Sequence, residues 1–500
     1  MNLNPYHVKI LDYFTLFYGW NAVRKLLFVL ILHSLCINTA HAEFNTWTEY
    51  KSPHFRLYSD LDKSEVESAL VDFEVFRATL FEVLNLDKNT EFVPVDIYAF
   101  KSQNDYVKIQ PNRKIVGFFL DTVRGPVMVV GPGKLRQLNL STLYHEYLHY
   151  LVRVNSSFNY PRWFDEGTAE LYSSLEYDEE YVVIGKMANR PAGKYANSDL
   201  LDIKSLFTKT NILSASKNTI TKYYSTAWIF VHFLQFSRVN GFDDYSASLT
   251  HFLNLYNKGV APLVAFEKSF SVSLDELQKQ LERYNRKRIL YAKRFTKPKF
   301  TLNYQSKVLD EGQLYANMSH LAFSSGQRNN SDRFLEQALN LNHPKALSVK
   351  AFLLVREGKT AKALTLLEGL VRTKHLDAEV YLNIGQAYKE LVRRLPQRKD
   401  EMRRLAIYYL EQAKKLGRYS QTRVFLADLY WQIGEQQKVS EEIIAAVALM
   451  PSNIYLNYRA GSYMVKLENK ALADFFLGNV LNWSKNPKQI EQAQALLDSL

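Results

Sequence analysis

The sequence predicts an α+β domain followed by an all-α solenoid of helical repeats. Up to about residue 285, short alternating or apolar segments stand between longer segments with helical spacing. Beyond about residue 311 the chain is almost wholly helical and repeats itself with a period of 34 residues. The composition, 47% hydrophobic and 23% charged, is that of a globular protein. A chain of 500 residues exceeds what one hydrophobic core organises, so two or three domains are expected.

Residues 1 to 42 have the features of a secretory signal peptide. Arg24 and Lys25 precede an apolar run at 26 to 32, and the stretch ends in Ala-His-Ala at 40 to 42, so cleavage after this triplet is expected. The apolar run is too short to cross a bilayer comfortably. The long basic region before it leaves a retained anchor as an alternative. We expect an exported, periplasmic protein with no stable membrane span after cleavage.

Charge and cysteine content limit the partners and the covalent framework. Cys36, the single cysteine, lies inside the predicted signal peptide, so the mature chain would have no disulfide and a core of this size needs none. The formal net charge of +12 allows an acidic partner or a membrane surface, with an ordinary solvated surface as the alternative. Residues 283 to 299 hold eight basic residues and no acidic one. We interpret 286 to 310 as a basic linker, because no nucleic-acid motif accompanies it.

The first domain, residues 43 to 285, is expected to contain strands and helices in mixed order. Strands are predicted where apolar residues alternate or where short apolar runs are bounded by glycine and proline, at 53–60, 94–100, 117–121 and 125–133. Helices are predicted at 64–84, 141–154, 223–236 and 273–284. The last of these begins with the capping box of Ser273 and Glu276.

The second domain, residues 311 to 500, resembles a tetratricopeptide-like solenoid. Tyr381, Ile384, Gly385 and Tyr388 have the spacing of the first helix of such a repeat. One period earlier Leu347 takes the place of Tyr381, and weaker copies begin near Tyr315, Val424 and Tyr455. One repeat cannot bury its apolar face alone, so stacking of neighbours is expected. The resemblance implies a protein partner bound through the repeats.

The segment YHEYLHY carries the main chemical signal. His145 and His149 are four residues apart, so on a helix their side chains emerge within about 40° of each other. Glu146 lies beside them, about 100° round the axis. The pattern H-E-x-x-H therefore offers two imidazoles to one metal ion and places a carboxylate next to it.

The segment WFDEGTAE completes the predicted metal site. Zinc requires a third protein ligand and leaves its fourth position to water, and Glu166 can supply that ligand from a second helix that begins near Pro161. Glu170, one turn later, is placed to receive the free ring N–H of a ligating histidine. The alternative is a pair of histidines on a buried helix with satisfied hydrogen bonds. Without a metal, that burial would cost several kcal/mol of polar desolvation.

HEYLH followed by WFDEG resembles the gluzincin metallopeptidases. The region from about residue 46 to 285 is similar to the peptidase-MA-like family of exported bacterial proteins, through HFRLYSD, PVDIYAF, PRWFDEGTAE and YSTAWIFVHFL. The resemblance implies a zincin-like fold, a bound Zn²⁺ held by His145, His149 and Glu166, and Glu146 as the general base of peptide hydrolysis. It implies no aminopeptidase action, since no signature for gripping a free amino terminus precedes the helix.

The resemblance also implies a donor for the oxyanion and a strand that receives a polypeptide substrate. Tyr224, 58 residues after Glu166, is the candidate donor; Tyr223 and His232 are the alternatives, and simple helix packing is a further alternative for Tyr224. The strand GPVMVVG, residues 125–131, directly precedes the predicted metal-binding helix and is expected to be an edge strand that receives the substrate. The competing hypothesis is a zincin-like binding or scaffold protein of the bacterial envelope that acts through its repeats.

Overall fold

The computed structural model describes residues 44–87, 93–133, 140–155, 160–186, 200–208, 216–373, 376–484 and 486–500. The predicted signal peptide lies outside these residues. None of the helices in the described ranges is both long enough and apolar enough to span a membrane. Residues 46 to 500 pack into one unit, so the α+β part and the helical repeats are not separate bodies.

Six strands form the main sheet, in the order β4-β5-β3-β2-β1-β9. Its three central strands run parallel, with Leu57 opposite Ile97 and Ile97 opposite Met128, whereas β1, β4 and β9 are antiparallel to their neighbours. The strands of this sheet are β1 (Thr48–Lys51), β2 (Phe55–Ser59), β3 (Val95–Ala99), β4 (Gly117–Thr122), β5 (Gly125–Val130) and β9 (Gln305–Val308). A second sheet has the order β6-β7-β8, with β6 (Glu176–Tyr177), β7 (Tyr181–Ile184) and β8 (Lys293–Thr296).

Nine helices belong to the described residues of the α+β part. They are α1 (Lys63–Val83), α2 (Gln103–Ile109), α3 (Ser141–Asn155), α4 (Arg162–Tyr172), α5 (Ile203–Thr208), α6 (Lys217–Phe236), α7 (Ser246–Asn257), α8 (Pro262–Ser269) and α9 (Leu274–Asn285). A 3₁₀ turn at Arg238–Asn240 follows α6. The predicted capping of α9 is present, because Ser273 Oγ accepts a hydrogen bond from the backbone N–H of Glu276 at 3.2 Å.

Helix α3 packs against α1 and the sheet through its aromatic face. Tyr144 stacks on Phe76 with ring centroids 3.9 Å apart, and Tyr147 contacts Phe55 of β2 at 5.3 Å. Residues at i and i+3 share a helix face, so burying these tyrosines turns His145 and His149 away from the sheet. The helical period therefore determines which side of α3 carries the histidines.

Residues 286 to 310, which the sequence predicts to be a linker, contain two paired strands. Strand β8 pairs with β7, and β9 pairs with β1, with Thr48 opposite Val308. The basic side chains concealed this pairing, because β8 is an edge strand whose residues stay mostly exposed and show no apolar alternation. The segment thus completes both sheets before the repeats begin.

In the described residues from 311 to 500, five helix pairs and a final helix form the repeats. They are α10 (Glu311–Ser324) with α11 (Arg328–Asn340), α12 (Pro344–Arg356) with α13 (Thr360–Val371), α14 (Ala378–Arg394) with α15 (Lys399–Leu416), α16 (Ser420–Gln432) with α17 (Gln436–Leu449), α18 (Ile454–Lys466) with α19 (Lys470–Trp483), and α20 (Pro487–Leu497). The turns at Gly326, Gly358 and Gly434 need a positive φ. In the fifth pair Glu468 takes this conformation with φ 55.

Glycine allows close contact inside the helix pairs. A Cβ on Gly385 would lie 2.6 Å from Leu410 Cγ, and one on Gly461 would lie 2.5 Å from Leu477 Cγ. In each case a leucine of the second helix fills the space that the glycine leaves. This is the small-to-large packing expected of paired repeat helices.

The first helices of two repeat pairs, α14 and α16, contact the β4–β5 hairpin of the same chain. Arg124, in the hairpin turn, donates to Glu379 Oε1 at 2.7 Å, Asn383 Oδ1 at 2.8 Å and Gln421 Oε1 at 2.9 Å. Glu379 is also paired with Lys345 at 2.8 Å. Because these ionic groups are mostly buried, each partner compensates the desolvation of the other. The hairpin is therefore fixed within the helical array.

Candidate metal centre

Helices α3 and α4 bring His145, His149 and Glu166 together. The Nε2 atoms of the two histidines are 3.2 Å apart. Glu166 Oε2 lies 3.3 Å from Nε2 of His145 and 3.6 Å from Nε2 of His149. Both histidines are buried, at 8% and 7% exposure. Within the described residues this is the group that could hold a metal ion.

The spacing of these three atoms fits zinc. Zinc–nitrogen and zinc–oxygen bonds of about 2.0 to 2.2 Å at tetrahedral angles put ligand atoms roughly 3.3 to 3.6 Å apart. The three observed distances, 3.2, 3.3 and 3.6 Å, match this range within 0.1 Å. Two imidazoles and a carboxylate are also a ligand set that zinc accepts, with one position left open. The residues present therefore fit the ion that the sequence predicts.

Two further carboxylates face the other ring nitrogens. Asp165 Oδ1 lies 3.0 Å from Nδ1 of His149, and Glu170 Oε1 lies 3.4 Å from Nδ1 of His145. The second contact is an ion-pair distance without hydrogen-bond alignment, since Nδ1 of His145 has no hydrogen-bond partner. An acceptor at Nδ1 holds the proton there and leaves Nε2 free for a ligand. Glu170 thus lies where the sequence predicts it, and Asp165 is an addition.

Arg153 supports Asp165 from the last turn of α3. Its Nη2 lies 2.5 Å from Asp165 Oδ2. Although burial raises the pKa of Asp165, the charges of Arg153 and His149 hold that pKa well below its usual range. Burial alone would raise the pKa of Glu166. Its hydrogen bonds with His145 and His149 outweigh burial, so this pKa lies well below its usual range. Both carboxylates are therefore ionised at neutral pH, as ligand and orienting group must be.

A cavity of about 1270 Å³ opens in front of these residues. Glu146 and Tyr224 line it together with the three predicted ligands. Tyr224 OH donates to Glu166 Oε1 at 3.3 Å, and burial followed by the negative charge of Glu166 raises the pKa of this phenol. Tyr224 is therefore a protonated donor beside the centre.

The two alternatives to Tyr224 occupy different surroundings. Tyr223 is fully buried at 0% exposure, and its hydroxyl has no hydrogen-bond partner, although its ring reaches the cavity wall. His232 is not in the cavity: its Nδ1 lies 2.6 Å from Tyr284 OH and its Nε2 2.9 Å from the carbonyl of Gly185. Burial lowers the pKa of His232 to about 4. His232 is thus a neutral packing histidine, which removes it as an oxyanion donor.

A side chain at position 167, directly after Glu166, would collide with helix α6. A Cβ on Gly167 would lie 2.5 Å from the carbonyl oxygen of Ala227 and 2.7 Å from Val231 Cγ2. Any larger residue would therefore separate α4 from α6. This close approach places Tyr224 of α6 against Glu166 of α4.

The last repeats form one wall of the cavity. Ile454, Leu481, Trp483, Asn486 and Ile490 line it, although they follow the predicted ligands by about 300 residues in the sequence. The guanidinium of Arg153 lies 4.6 Å from the centre of the Trp483 ring. The candidate metal centre is therefore enclosed between the α+β part and the end of the solenoid.

The main sheet ends at β4 on one side and at β9 on the other, so the expectation that residues 125–131 form an edge strand is wrong. Strand β5 is hydrogen-bonded to β4 on one side and β3 on the other. The carbonyl of Asp121 accepts from Asn453 Nδ2 at 2.9 Å, so it faces away from β5. In a strand, the N–H and C=O groups of residues two positions apart point to the same side. The N–H and C=O of Phe119 therefore also face away from β5, on the outer edge of β4 beside the cavity that Phe119 lines.

Sequence reasoning missed Asp165, Arg153, Asp121 and Trp483. Asp165 could have been found, since it precedes Glu166 directly in the first turn of α4, where an acidic residue has an ordinary capping role that concealed it. Trp483 gives no local signal. Its place in the cavity wall depends on how far the solenoid curves.

Comparisons with known proteins match the repeats. Residues 330–425 match the family described as Tetratricopeptide Repeats-Sensor. Among solved structures, a thermophilic TPR protein of Thermus thermophilus shares 19% identity, covers 37% of this chain and 98% of that one, and has a TM-score of 0.32. YrrB, a TPR protein with an unusual peptide-binding site, shares 18% identity over 36% of this chain and 90% of that one, with a TM-score of 0.26. No match was found among curated proteins.

The family match covers less than a quarter of the chain and lies wholly within the helix pairs. It agrees with the paired helices and with the glycine turns between them. The C-terminal part of this protein therefore consists of tetratricopeptide-like repeats, joined to an N-terminal α+β region.

Proposed function

We propose that this protein is a zinc-dependent hydrolase that cleaves peptide bonds. The observation that supports it most strongly is the set of distances among His145, His149 and Glu166, which suits a tetrahedral ion with one open position. Zinc, when bound there, would lower the pKa of a water molecule toward about 7 and polarise a substrate carbonyl.

The protein's own groups would move the proton and orient the site. Glu146, which lines the cavity next to the ligands, accepts a proton from the attacking water on a carboxylate oxygen and returns it to the leaving amine. Tyr224 keeps its phenolic proton and donates to the developing oxyanion. Asp165 holds the ring of His149 through Nδ1, and Glu170 lies at ion-pair distance from Nδ1 of His145.

The free edge of β4 supports an extended polypeptide as substrate. An extended chain can pair with the backbone of Phe119 and add a strand beside the cavity. Recognition would then depend first on the backbone of the substrate, while the cavity wall formed by the last repeats would contact the substrate's side chains. The predicted signal peptide adds an exported, periplasmic setting to this proposal.

A second candidate is a binding or scaffold protein that acts through its repeats. The comparisons favour it, because they match only the repeats, and repeats of this class bind protein partners or peptides. Without a metal, the centre could be a hydrogen-bonded histidine pair. Burial lowers the pKa of His145, but Glu166 and Glu170 outweigh it and raise that pKa to about 10, so a charged histidine beside Glu166 gives the same short distances.

Hydrolysis of unfolded casein separates these two functions. Purified protein is incubated with casein, with and without a chelator, and new amino termini are counted. We expect the wild type to cut, Glu146→Gln to retain zinc without cutting, and Glu267→Gln, on the exposed surface of α8, to match the wild type. Cleavage by Glu146→Gln would remove Glu146 from its role. Absence of cleavage by the wild type with zinc bound would favour the binding protein.

A further inference from the structure

Two segments distant in sequence are joined on one face of the α+β part. The side chain of Asn240 donates to the carbonyl of Tyr291 at 3.1 Å and accepts from its backbone N–H at 2.7 Å. Lys287 Nζ donates to the carbonyl of Asn240 at 2.6 Å. Asn240 is 1% exposed, so these bonds are partly shielded from water. They fix the 3₁₀ turn at Arg238–Asn240 against the segment that follows α9.

Three apolar side chains project from these joined segments. Val239 is 48% exposed, Ile289 64% and Tyr291 61%. A single exposed apolar residue is ordinary, but three on segments that are fixed together form a patch. Ile289 and Tyr291 are the two most exposed of the large apolar side chains in the described part of the chain. We call this surface, Arg238–Val239 with Arg286–Arg294, the basic patch.

The segments that form the basic patch also carry six basic side chains. These cations are Arg238, Arg286, Lys287, Arg288, Lys293 and Arg294. The acidic groups close by in sequence are Glu282, Asp243 and Asp244, of which Glu282 and Asp244 lie 3.8 and 4.0 Å from Arg286 and Arg238. These distances belong to exposed, weak pairs.

The remaining cations of the basic patch have acidic neighbours only beyond ion-pair distance, Asp244 near Lys293 and Asp178 near Arg294. Within the described residues, no carboxylate forms an ion pair with Arg288, Lys293 or Arg294. Lys293 Nζ lies 5.5 Å from the centre of the Phe236 ring, and the guanidinium of Arg294 lies 3.9 Å from the centre of the Tyr181 ring. These aromatic contacts orient the two cations and leave their charge available to an anionic partner.

We propose that the basic patch binds the surface of an anionic lipid bilayer. Lysine and arginine near such a surface are attracted to anionic headgroups, while exposed aliphatic and aromatic side chains enter the boundary between headgroups and acyl chains. A soluble polyanion such as nucleic acid would attract the same cations but leave Val239, Ile289 and Tyr291 in water. The combination of charge and apolar surface therefore favours a membrane. This proposal makes no use of the metal centre and stands independently of hydrolysis.

Vesicle flotation tests the proposal. The purified full chain is mixed with vesicles of phosphatidylglycerol and phosphatidylcholine, and separately with vesicles of phosphatidylcholine alone. We expect flotation with the mixed vesicles only, and its loss in ~1 M salt, where the screening length falls to about 3 Å. Absence of flotation with the mixed vesicles at low salt overturns the proposal.

Two double variants separate the contributions of charge and apolar surface. Arg288→Glu with Lys293→Glu, and Ile289→Ser with Tyr291→Ser, should each weaken vesicle binding at least about tenfold, with circular dichroism and melting temperature unchanged. Lys362→Glu with Lys415→Glu, two exposed lysines of the repeats, should bind as the wild type does. Vesicle binding that survives the serine pair, or equal retention on double-stranded DNA that only the charge pair abolishes, identifies a general polyanion surface and overturns the proposal.

Discussion

The guanidinium of Arg153 lies 4.6 Å from the centre of the Trp483 ring. Arg153 belongs to the helix that carries both predicted histidine ligands, and Trp483 ends the last complete helix pair. Since Arg153 also pairs with Asp165, and Asp165 contacts His149, the two residues connect the end of the solenoid to the candidate metal centre. The repeats are therefore part of the structure that supports the site.

Replacing Trp483 with alanine should weaken zinc binding. The change removes a cation–π contact that contributes about 0.5 to 2 kcal/mol and allows Arg153 to leave Asp165. Because Trp483 acts through two intervening residues, we expect a smaller loss than the about 10- to 100-fold seen when a group bonded directly to a ligand is removed. Competition with a chelating dye measures the zinc affinity, and Trp483→Phe should restore most of it.

Trp431→Ala is the matched control for Trp483→Ala. Trp431 is also half-buried in a repeat helix, with Lys466 Nζ 5.5 Å from its ring centre, but it does not line the cavity. Trp431→Ala should lower the free energy of unfolding by about as much as Trp483→Ala does, and it should leave zinc affinity unchanged. Equal loss of zinc affinity in both variants would show that Trp483 acts only through general stability.

Gly167→Ala should destabilise the protein and displace Glu166. The new methyl would lie 2.5 Å from the carbonyl oxygen of Ala227, and such overpacking costs about 1 to 3 kcal/mol. Gly478→Ala, on α19 with open space around it, should instead stabilise by about 0.5 to 1 kcal/mol. Denaturant unfolding measures both. A neutral Gly167→Ala would mean that α4 and α6 are not in this close contact.

Tyr224→Phe should lower kcat strongly and leave KM nearly unchanged. Besides its contact with Glu166, the phenol is expected to donate to charge that develops in the transition state and not to the ground-state substrate. Loss of one such donor typically costs about 100- to 1000-fold in kcat. Tyr223→Phe is the comparison, because the Tyr223 hydroxyl is buried without a partner. Steady-state kinetics on a quenched-fluorescence peptide separates the two. A wild-type rate for Tyr224→Phe together with a slow Tyr223→Phe would transfer the role to Tyr223.

Asp121→Asn should stabilise the protein increasingly as pH rises from 5 to 8. Burial raises the pKa of Asp121 to about 7, against a hydrogen bond from Asn453 and the charge of Arg153, which lower it. The folded state therefore holds a proton that the unfolded chain releases near pH 4, so the wild type loses stability as pH rises from there through about 7. The asparagine variant lacks this loss.

Melting temperatures of wild type and variant across this pH range measure the effect. Asp332→Asn, at an exposed aspartate of α11, should give a difference from the wild type that stays constant with pH. The same constant difference for Asp121→Asn would contradict a raised pKa.

Sequence patterns located the elements of the α+β part because local periodicity reflects local burial. The strands at Phe55–Ser59 and Val95–Ala99 fall within the predicted segments, and so does most of the helix that carries His145 and His149. The order of strands was not accessible in this way. A buried run such as Gly125–Val130 has the same apolar sequence pattern whether strands lie on one side of it or on both. The edge position was therefore assigned to the wrong strand.

The predicted ligands could be proposed because their spacing is local within two helices. The contacts of Trp483 with Arg153 and of Asn453 with Asp121 could not be predicted from the sequence. They join residues more than 300 positions apart and depend on the summed rotation of five helix pairs. The strands in 286–310 were missed for a different reason. Their exposed basic residues carry the pattern of a linker.

The metal content of the purified protein shows whether His145, His149 and Glu166 hold an ion. We expect about one zinc ion per wild-type chain by elemental analysis, as three protein ligands at tetrahedral spacing require. His149→Ala should contain none and melt at a lower temperature, whereas His251→Ala, an exposed histidine of α7, should retain the wild-type content. A wild-type chain that binds no zinc when it is supplied, or a His149→Ala variant that binds it as well as the wild type, would contradict the metal centre.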